Sequence, residues 1–389
     1  MLHVGIDCRP LQEGAAGVRT YLRGLLREFA RFSNLQVTCF CSRALPAVEL
    51  GISSPHVTLV NVAGRWVNNW FWTEWQLPRA VMKSNSEWER SAQRPRVREA
   101  GGARTRPIDL FHFPAYTASS RLSCRTVVSV HDVSYAAHPE WYPNRSGRVR
   151  QRFYRVSAEE ADAVITMSQF SKSEIMRVYS VAEEDIYPIY LASGLQDVKP
   201  APRWDRPEKL SRYLLHVGDL HRRRNLVTAL EAFHRAEPDP DLDFVMVGKD
   251  LGGRAEIEER AGALGILPRL HFLQDLPVDQ MPHYYQNAVA LIYPSLYEGF
   301  GLPLLEAMQW QCPVVASRVA SIPEVAGDGA WLVDPLNPDE IAEGIRAILR
   351  QPETRQRFIE KGLKRAALFT WRKTAEQTAE VYRQVCGGE

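Results

Sequence analysis

The sequence predicts an α/β protein built from two doubly wound domains. Three observations carry that expectation. Short apolar runs alternate with amphipathic helical stretches along most of the 389 residues. The alternation fades near residues 192–212 and then restarts with the same grammar. Such alternation makes βαβ units, which give a mostly parallel sheet with helices on both faces.

Taken in order, Leu2–Ile6 reads as a buried strand, and a loop with Gly14 and Gly17 follows it. Tyr21–Phe32 places Tyr21, Leu22, Leu25, Leu26 and Phe29 at i, i+3, i+4 spacing and is therefore a helix. Val37–Phe40, Val57–Val60, Leu110–His112, Thr126–Val130 and Ala163–Met167 are further strands. Prolines and charges in residues 196–212 read as a linker, so the first domain is 1–195. The second domain, 213–371, repeats the pattern. It has strands at Tyr213–Val217, Asp243–Val247, Leu270–Phe272, Val289–Tyr293, Pro313–Ala316 and Ala330–Val333, and helices at Leu226–Arg235 and Arg254–Leu264. In the closing stretch, Ala375, Thr378, Val381, Tyr382 and Val385 line one helical face. Ligands of open parallel sheets sit beyond the carboxyl ends of the strands, so two such domains are expected to share one site in a cleft between them.

Composition excludes several classes. A net charge of +2 gives no global field for nucleic acid. Six scattered cysteines build neither a disulfide scaffold nor a zinc site, so no metal is expected and the setting is a reducing one, the cytoplasm. The start, Met-Leu-His-Val-Gly-Ile-Asp7-Cys-Arg9, has charges where a secretory signal needs an apolar run. No apolar stretch reaches the ~18 residues of a membrane span.

One region breaks the pattern. Arg79–Pro107 holds eight basic residues against three acidic ones and contains Gly101-Gly102, which reads as a mobile surface loop. Just before it, Trp66, Trp70, Trp72 and Trp75 form a tryptophan cluster, with Trp88 beyond. Indoles beside cations suit a membrane surface or a sugar-binding wall, but large aromatics usually serve packing, and a small cluster packed under the loop is the favoured reading. Ser168 and Ser171 read as structural, Ser171-x-x-Glu174 being a capping box.

The most informative segment is Tyr293-Pro-Ser-Leu-Tyr-Glu298-Gly-Phe-Gly301-Leu-Pro-Leu-Leu-Glu306-Ala-Met. It follows an apolar strand and opens a helix, with Pro303 in the first turn where a missing N–H costs nothing. Free N–H groups at such a helix start hold anionic or hydroxyl-rich ligands. Glu298 and Glu306, two turns apart, accept hydrogen bonds as ionised carboxylates, which matches polyol recognition.

These residues resemble the E-x7-E signature of retaining glycosyltransferases of the GT-B fold, family 4. Cys312-Pro-Val-Val-Ala-Ser317, Ile322-Pro-Glu324-Val, Leu332-Val-Asp334-Pro335, Leu215-His-Val-Gly218, Arg223-Arg224-Asn225 and Phe244-Val-Met-Val-Gly248 match in order. So do Gly5-Ile-Asp7-x-Arg9-Pro10, Gly17-x-x-x-Tyr21, Val130-His131-Asp132 and Ile165-Thr-Met-Ser168 in the first half. The resemblance implies two Rossmann-like domains, the first binding the acceptor and the second a nucleotide sugar. It also implies that the last helix, 372–389, crosses back to the first domain.

By the same resemblance, Glu298 holds hydroxyls of the donor sugar and Glu306 the ribose. N–H groups of Phe300, Gly301 and Leu302 meet the sugar or diphosphate, and Arg223 and Arg224 bind the diphosphate. His131 faces the sugar near its anomeric carbon, and Gly17 lets backbone approach a phosphate or the acceptor. Two departures stand out. The family usually has Lys where this chain has Arg224, a planar fork in place of a point charge. Gln311 stands where a glycine is common, so a turn that differs or avoids positive φ is expected there.

The implied reaction is transfer of a hexose, with GDP-mannose as the first donor, to a glycan or lipid-linked acceptor with retained anomeric configuration and no cofactor or metal. Arg148, Arg152 and Arg155 share a helical face and, with the tryptophans and the basic loop, suit peripheral contact at the inner membrane surface. A nucleotide-sugar epimerase and a non-catalytic nucleotide-binding protein of the same fold are the rival readings. A pyridoxal-dependent phosphorylase is disfavoured for want of a lysine motif, and the first loop lacks the G-x-G-x-x-G of a dinucleotide oxidoreductase.

Overall fold

The apolar runs become strands because they are buried on both faces, which a parallel sheet covered by helices on each side provides. In the computed structural model, which describes residues 1–13, 15–43, 54–62, 71–92, 107–142, 147–207, 210–236 and 239–387, they assemble into two parallel sheets. The chain divides into two units. The first comprises Met1–Met167, Ser171–Tyr190 and Trp371–Glu389, and the second Ser168–Phe170 and Leu191–Thr370.

The first unit carries β1 (Leu2–Asp7), β2 (Leu35–Cys41), β3 (Val57–Asn61), β4 (Leu110–Phe113), β5 (Arg125–Ser129), β6 (Ala163–Thr166) and β7 (Ile186–Pro188). Their order is β3-β2-β1-β4-β5-β6-β7. The sequence pattern missed β7. It is three residues long and ends on Pro188, which is tolerated because the strand lies at the sheet edge. One face packs Phe40, Phe111, Phe113, Val128 and Val164 against Trp72 and Leu77. Helix α1 (Ala16–Phe29) and the C-terminal helix Trp371–Val385 pack together, and Gly24 permits their close approach. A Cβ there would lie 2.2 Å from the Trp371 indole.

The second unit carries β8 (Arg212–Val217), β9 (Leu242–Val247), β10 (Leu270–Leu273), β11 (Ala290–Tyr293), β12 (Val314–Ser317) and β13 (Trp331–Val333), in the order β10-β9-β8-β11-β12-β13. Leu230, Phe233, Phe244, Ile292, Val315, Ile341 and Ile345 fill its core. In each sheet the strand order reverses beside the first strand, at β1/β4 and at β8/β11. Loops leaving such a switch point are the usual ligand-binding loops of open α/β sheets.

Several expectations are corrected. The front of the basic stretch 79–107 is helical, not a loop. A helix spans Leu77–Ala92, with Leu77 and Val81 buried one turn apart, and residues 93–106 lie outside the described residues. Trp72 is core, 1% exposed, with its indole N–H donating to Asp7 Oδ1 at 3.2 Å. Trp75 is half-buried beneath the Arg121 guanidinium, 4.3 Å from its ring centroid. Trp66 and Trp70, and the side chains of Trp88 and Arg148, lie outside the described residues. Gly17 belongs to the first turn of α1 and not to the loop. Ser171 lies inside helix Gln169–Val178, which starts too early for the capping box.

The stretch 196–212 is not a free linker, because its polar groups and an indole tie it to the second unit. Ala201 N–H donates to Asp279 O at 2.9 Å, Gln280 Nε2 donates to Arg203 O at 2.9 Å, and Trp204 stands edge-on to Tyr284. Among the described residues no helix is long and apolar enough to cross a membrane.

Gln311 does adopt positive φ, +58°, against expectation. Its side chain is exposed, so the excess bulk is accommodated in solvent while the backbone strain remains. Gln311→Gly should therefore stabilise the protein by about 0.5–1 kcal/mol, after the loss to unfolded-chain entropy. A higher urea midpoint at unchanged slope is the expected result.

Candidate active site

Glu298 and the arginine pair are remote in sequence and meet because β8 and β11 are neighbours. Arg222–Arg224 form a short 3-10 turn after β8, closed by Asn225 in the left-handed conformation. Asn225 Nδ2 donates to Pro335 O at 2.6 Å and to Pro294 O at 3.3 Å, which ties the turn to the loops after β13 and β11. Leu296 N–H donates to Arg223 O at 2.8 Å, completing the join.

The Glu298 carboxylate is 5% exposed and forms ion pairs with both arginines. Arg224 Nη1 contacts one oxygen, and Arg223 Nη1 lies 3.3 Å from the other. Arg224 Nη1 also donates to the Tyr293 hydroxyl at 2.8 Å. Burial lowers the Arg224 pKa, and Tyr293 acts in the opposite sense. Two positive charges against one carboxylate leave this pocket net cationic, suited to an anion.

The Glu298–Gly301 loop is held from behind by hydroxyls. Ser321 Oγ donates to Glu298 O at 2.9 Å and Phe300 O at 3.2 Å, and Ser168 Oγ donates to Gly299 O at 2.7 Å. Gly301, at φ +97°, caps helix α2 (Leu302–Gln309), a conformation that strains any residue with a Cβ. Its N-cap is a glycine with no side chain to offer; Pro303 carries no N–H, and the Leu304 N–H donates to Gly301 O at 3.0 Å. Phe300 is buried with its ring edge-on to Phe369, and Leu302 is half-buried.

Glu306 lies about one turn along α2. Tyr285 Oη donates to its Oε2 at 2.8 Å. Burial pushes the Glu306 pKa up, while Tyr285 and the Gly194 amide pull it down.

In the first unit, His131 stands just beyond β5, at the carboxyl edge of its sheet, and is half-buried. Its Nε2 lies 2.8 Å from Pro114 O, so Nε2 carries the proton and Nδ1 is left to accept when the ring is neutral. Burial lowers its pKa, opposed by the Pro114 bond and Asp132. Gly17, exposed at the start of α1, follows β1 on the same sheet edge, and the N-cap of that helix, Ala15, makes no side-chain cap bond. The structure thus joins Glu298, Arg223 and Arg224 directly and places Gly301, Leu302 and Glu306 on the same loop and helix.

Sequence reading missed Tyr293, Tyr285, Ser321 and His216. His216 has a signal of its own, a histidine near the end of an apolar strand like His131, within Leu215-His216-Val217-Gly218. It is fully buried and stacks on Tyr293, and Nδ1–H donates to Ile292 O at 3.1 Å. Its Nε2 and Arg224 Nε are both buried without a hydrogen-bond partner among the described residues. Among those residues no cluster of three or more His, Cys, Asp or Glu could hold a metal ion.

Burial, reinforced by the Arg224 charge, lowers the His216 pKa to about 3. Unfolded histidine titrates near ~6.5, so below that pH the unfolded chain binds a proton that the folded chain refuses. Stability is complete above ~6.5 and falls toward pH 3 by up to about 1.4 kcal/mol per pH unit for this group. His112, lowered to about 3 by burial, adds to the slope in the same sense, so urea unfolding across this range should show at least the single-group slope, and His216→Gln should reduce it by that share.

The family model described as glycosyl transferases group 1 matches residues 202–365, and that described as glycosyltransferase family 4 matches residues 15–192. The chain is 30% identical over 297 residues to O-antigen chain mannosyltransferase B of Escherichia coli, covering 74% of this chain and 77% of that protein. It is 26% identical over 233 residues to O-antigen chain mannosyltransferase RfbU of Salmonella typhimurium, covering 59% and 63% respectively. Among solved structures, sucrose-phosphate synthase from Thermosynechococcus elongatus superposes with a TM-score of 0.72 at 20% identity over 100% of both chains. HepE of Anabaena in complex with UDP and glucose gives 0.68 at 18% identity, covering 99% of this chain and 100% of that one.

Proposed function

The chain belongs to the glycosyltransferases of group 1 and family 4, with the GT-B fold of two Rossmann-like units, and from that premise we propose that it is a retaining hexosyltransferase. The donor is a nucleotide diphosphate sugar, GDP-mannose first, in line with the O-antigen mannosyltransferases it resembles. The acceptor is a hydroxyl of a glycan or of a lipid-linked glycan. The observation that carries this reading is the cationic pocket in which Arg223 and Arg224 meet Glu298 in the loop before α2.

In this reading the donor diphosphate takes the guanidinium groups and the N–H groups of Phe300, Gly301 and Leu302. Glu298, released from part of its ion pairing, accepts hydrogen bonds from sugar hydroxyls. Glu306 accepts from the ribose, with Tyr285 fixing its other side. His131 accepts from a sugar hydroxyl near C1 through Nδ1, and Gly17 contributes an uncapped helix-start N–H toward the diphosphate or the acceptor.

The C1–O bond to the β-phosphate breaks first and leaves an oxocarbenium-like sugar. Arginine charge and helix-start N–H groups stabilise the leaving diphosphate without calling on a metal. The acceptor oxygen then bonds to C1 on the face the diphosphate left, and its proton passes to a departing phosphate oxygen. Anomeric configuration is retained and no protein nucleophile takes part. The two-carboxylate glycosidase scheme does not apply, because both acids serve hydroxyls of the donor.

A thermal-shift comparison of GDP, UDP, ADP, dTDP and CDP tests this first. GDP should raise the midpoint equally with Mg²⁺ and with chelator, since ~100 Kd of ligand adds about 2.7 kcal/mol of stability. Glu306→Ala should weaken nucleotide binding about tenfold, which is ~1.4 kcal/mol. His131→Ala should lower turnover and leave nucleotide binding nearly unchanged. A shift only with another nucleotide reassigns the donor. A shift with sugar inversion and no transfer makes the protein an epimerase, and no shift with any nucleotide overturns the catalytic reading.

A further inference from the structure

The sheet face beneath α1 carries two polar side chains, His112 on β4 and Ser129 at the end of β5, both fully buried. His112 Nε2 lies 2.7 Å from Ser129 Oγ. Each is also met by a tyrosine from a different covering helix. Tyr382 of the C-terminal helix places its hydroxyl 2.6 Å from His112 Nδ1, and Tyr21 of α1 places its hydroxyl 3.0 Å from Ser129 Oγ. Both tyrosines are 0% exposed. The result is a continuous four-membered chain, Tyr382–His112–Ser129–Tyr21, with no member in contact with solvent.

The chain ends against His131. The Tyr21 ring stands edge-on to the His131 imidazole, with centroids 5.3 Å apart. A second link runs between the same strand ends. The His112–Ser129 bond joins β4 to the end of β5, and two residues farther along each segment the His131 ring bonds to Pro114 O. Both are side-chain bonds laid across a strand pair whose backbone register sets His112 opposite Val127 and Phe113 opposite Val128.

We propose that Tyr382 and Tyr21 are positioning residues for His131, Tyr382 acting through His112 and Ser129 and Tyr21 through its own ring, which Ser129 holds. The C-terminal helix thereby holds the donor-facing histidine in place, and this inference rests on the role proposed for His131 above. Burial keeps His112 neutral, so one ring nitrogen donates while the other accepts, and both of its bonds in the chain can be made at once. The groups facing His131 are Pro114 O, the Asp132 carboxylate, the Tyr21 and Tyr116 rings and, behind them, His112. Removing a hydroxyl from the chain changes how the ring is packed against these groups and leaves its covalent neighbours unchanged.

The test is an NMR titration of isotope-labelled histidines in the full chain, which needs no substrate. The variants are Tyr382→Phe and Tyr21→Phe, each keeping its ring, and Thr378→Val as the control. Thr378 is equally buried on the C-terminal helix, but its hydroxyl donates to Thr374 O within that helix and lies outside the chain. Both tyrosine variants should move the His131 midpoint by about half a pH unit or more, while Thr378→Val leaves it unmoved. With a nucleotide-sugar donor, kcat should fall about tenfold in both tyrosine variants while the donor KM stays nearly constant. An unmoved His131 midpoint in folded tyrosine variants overturns the proposal, as does an equal shift in Thr378→Val. A shifted midpoint in a chain that turns over no nucleotide sugar supports the positioning link and places the failure in the functional reading alone.

Discussion

The candidate site depends on the reversal of strand order between β8 and β11. Parallel strands deliver all their carboxyl ends to one edge, and at the reversal the following loops separate and leave room for a ligand. Here that geometry sets the Arg222–Arg224 turn against the loop bearing Glu298. A carboxylate this buried is tolerated because two guanidinium groups offset its desolvation. Arg223 and Arg224 pair with Glu298, while Arg224 Nε is left without a hydrogen-bond partner among the described residues. In the proposed function an anion on the arginines competes with Glu298 for them and frees its carboxylate for other hydrogen-bond donors.

The same site shows how a local departure from a family pattern is absorbed. By the resemblance drawn from the sequence, Arg224 stands where lysine is usual, and its longer, planar group needs more than one partner. Tyr293, the last residue of β11, supplies a hydroxyl to the guanidinium, and His216 stacks behind the Tyr293 ring. These residues come from neighbouring strands and do not touch in sequence. A point charge on a flexible stem would not require this support; a fork does.

The first unit handles buried polarity differently. It pairs His112 and Ser129 with tyrosines from two helices and keeps every member neutral, so no charge has to be desolvated. Such a network is worthwhile only when fully satisfied, since an unpaired buried polar atom is costly in a medium of low dielectric. The tight crossing of Gly24 and Trp371 serves the same arrangement by seating the helix that carries Tyr382.

Much of this was legible in the sequence. Periodicity alone located twelve of the thirteen strands named above, because burial on both faces writes apolar runs directly into the chain. Glu298, Gly301 and Glu306 were legible because they share one loop and one helix, where spacing in sequence is spacing in space. The basic stretch reads as a loop, yet its front is the helix Leu77–Ala92, because composition does not say which face of a helix is buried. Of the two readings of the tryptophans, Trp72 takes the packed one. The proline-rich stretch looked like a linker until Trp204 was seen docked. What tertiary structure alone decided was partnership between distant residues: Tyr293 with Arg224, Tyr285 with Glu306, and Tyr382 with His112. The physical reason is that sequence periodicity encodes burial, a property of each residue's own surroundings. A hydrogen bond across 270 residues depends on strand order and helix docking, and no local pattern contains either.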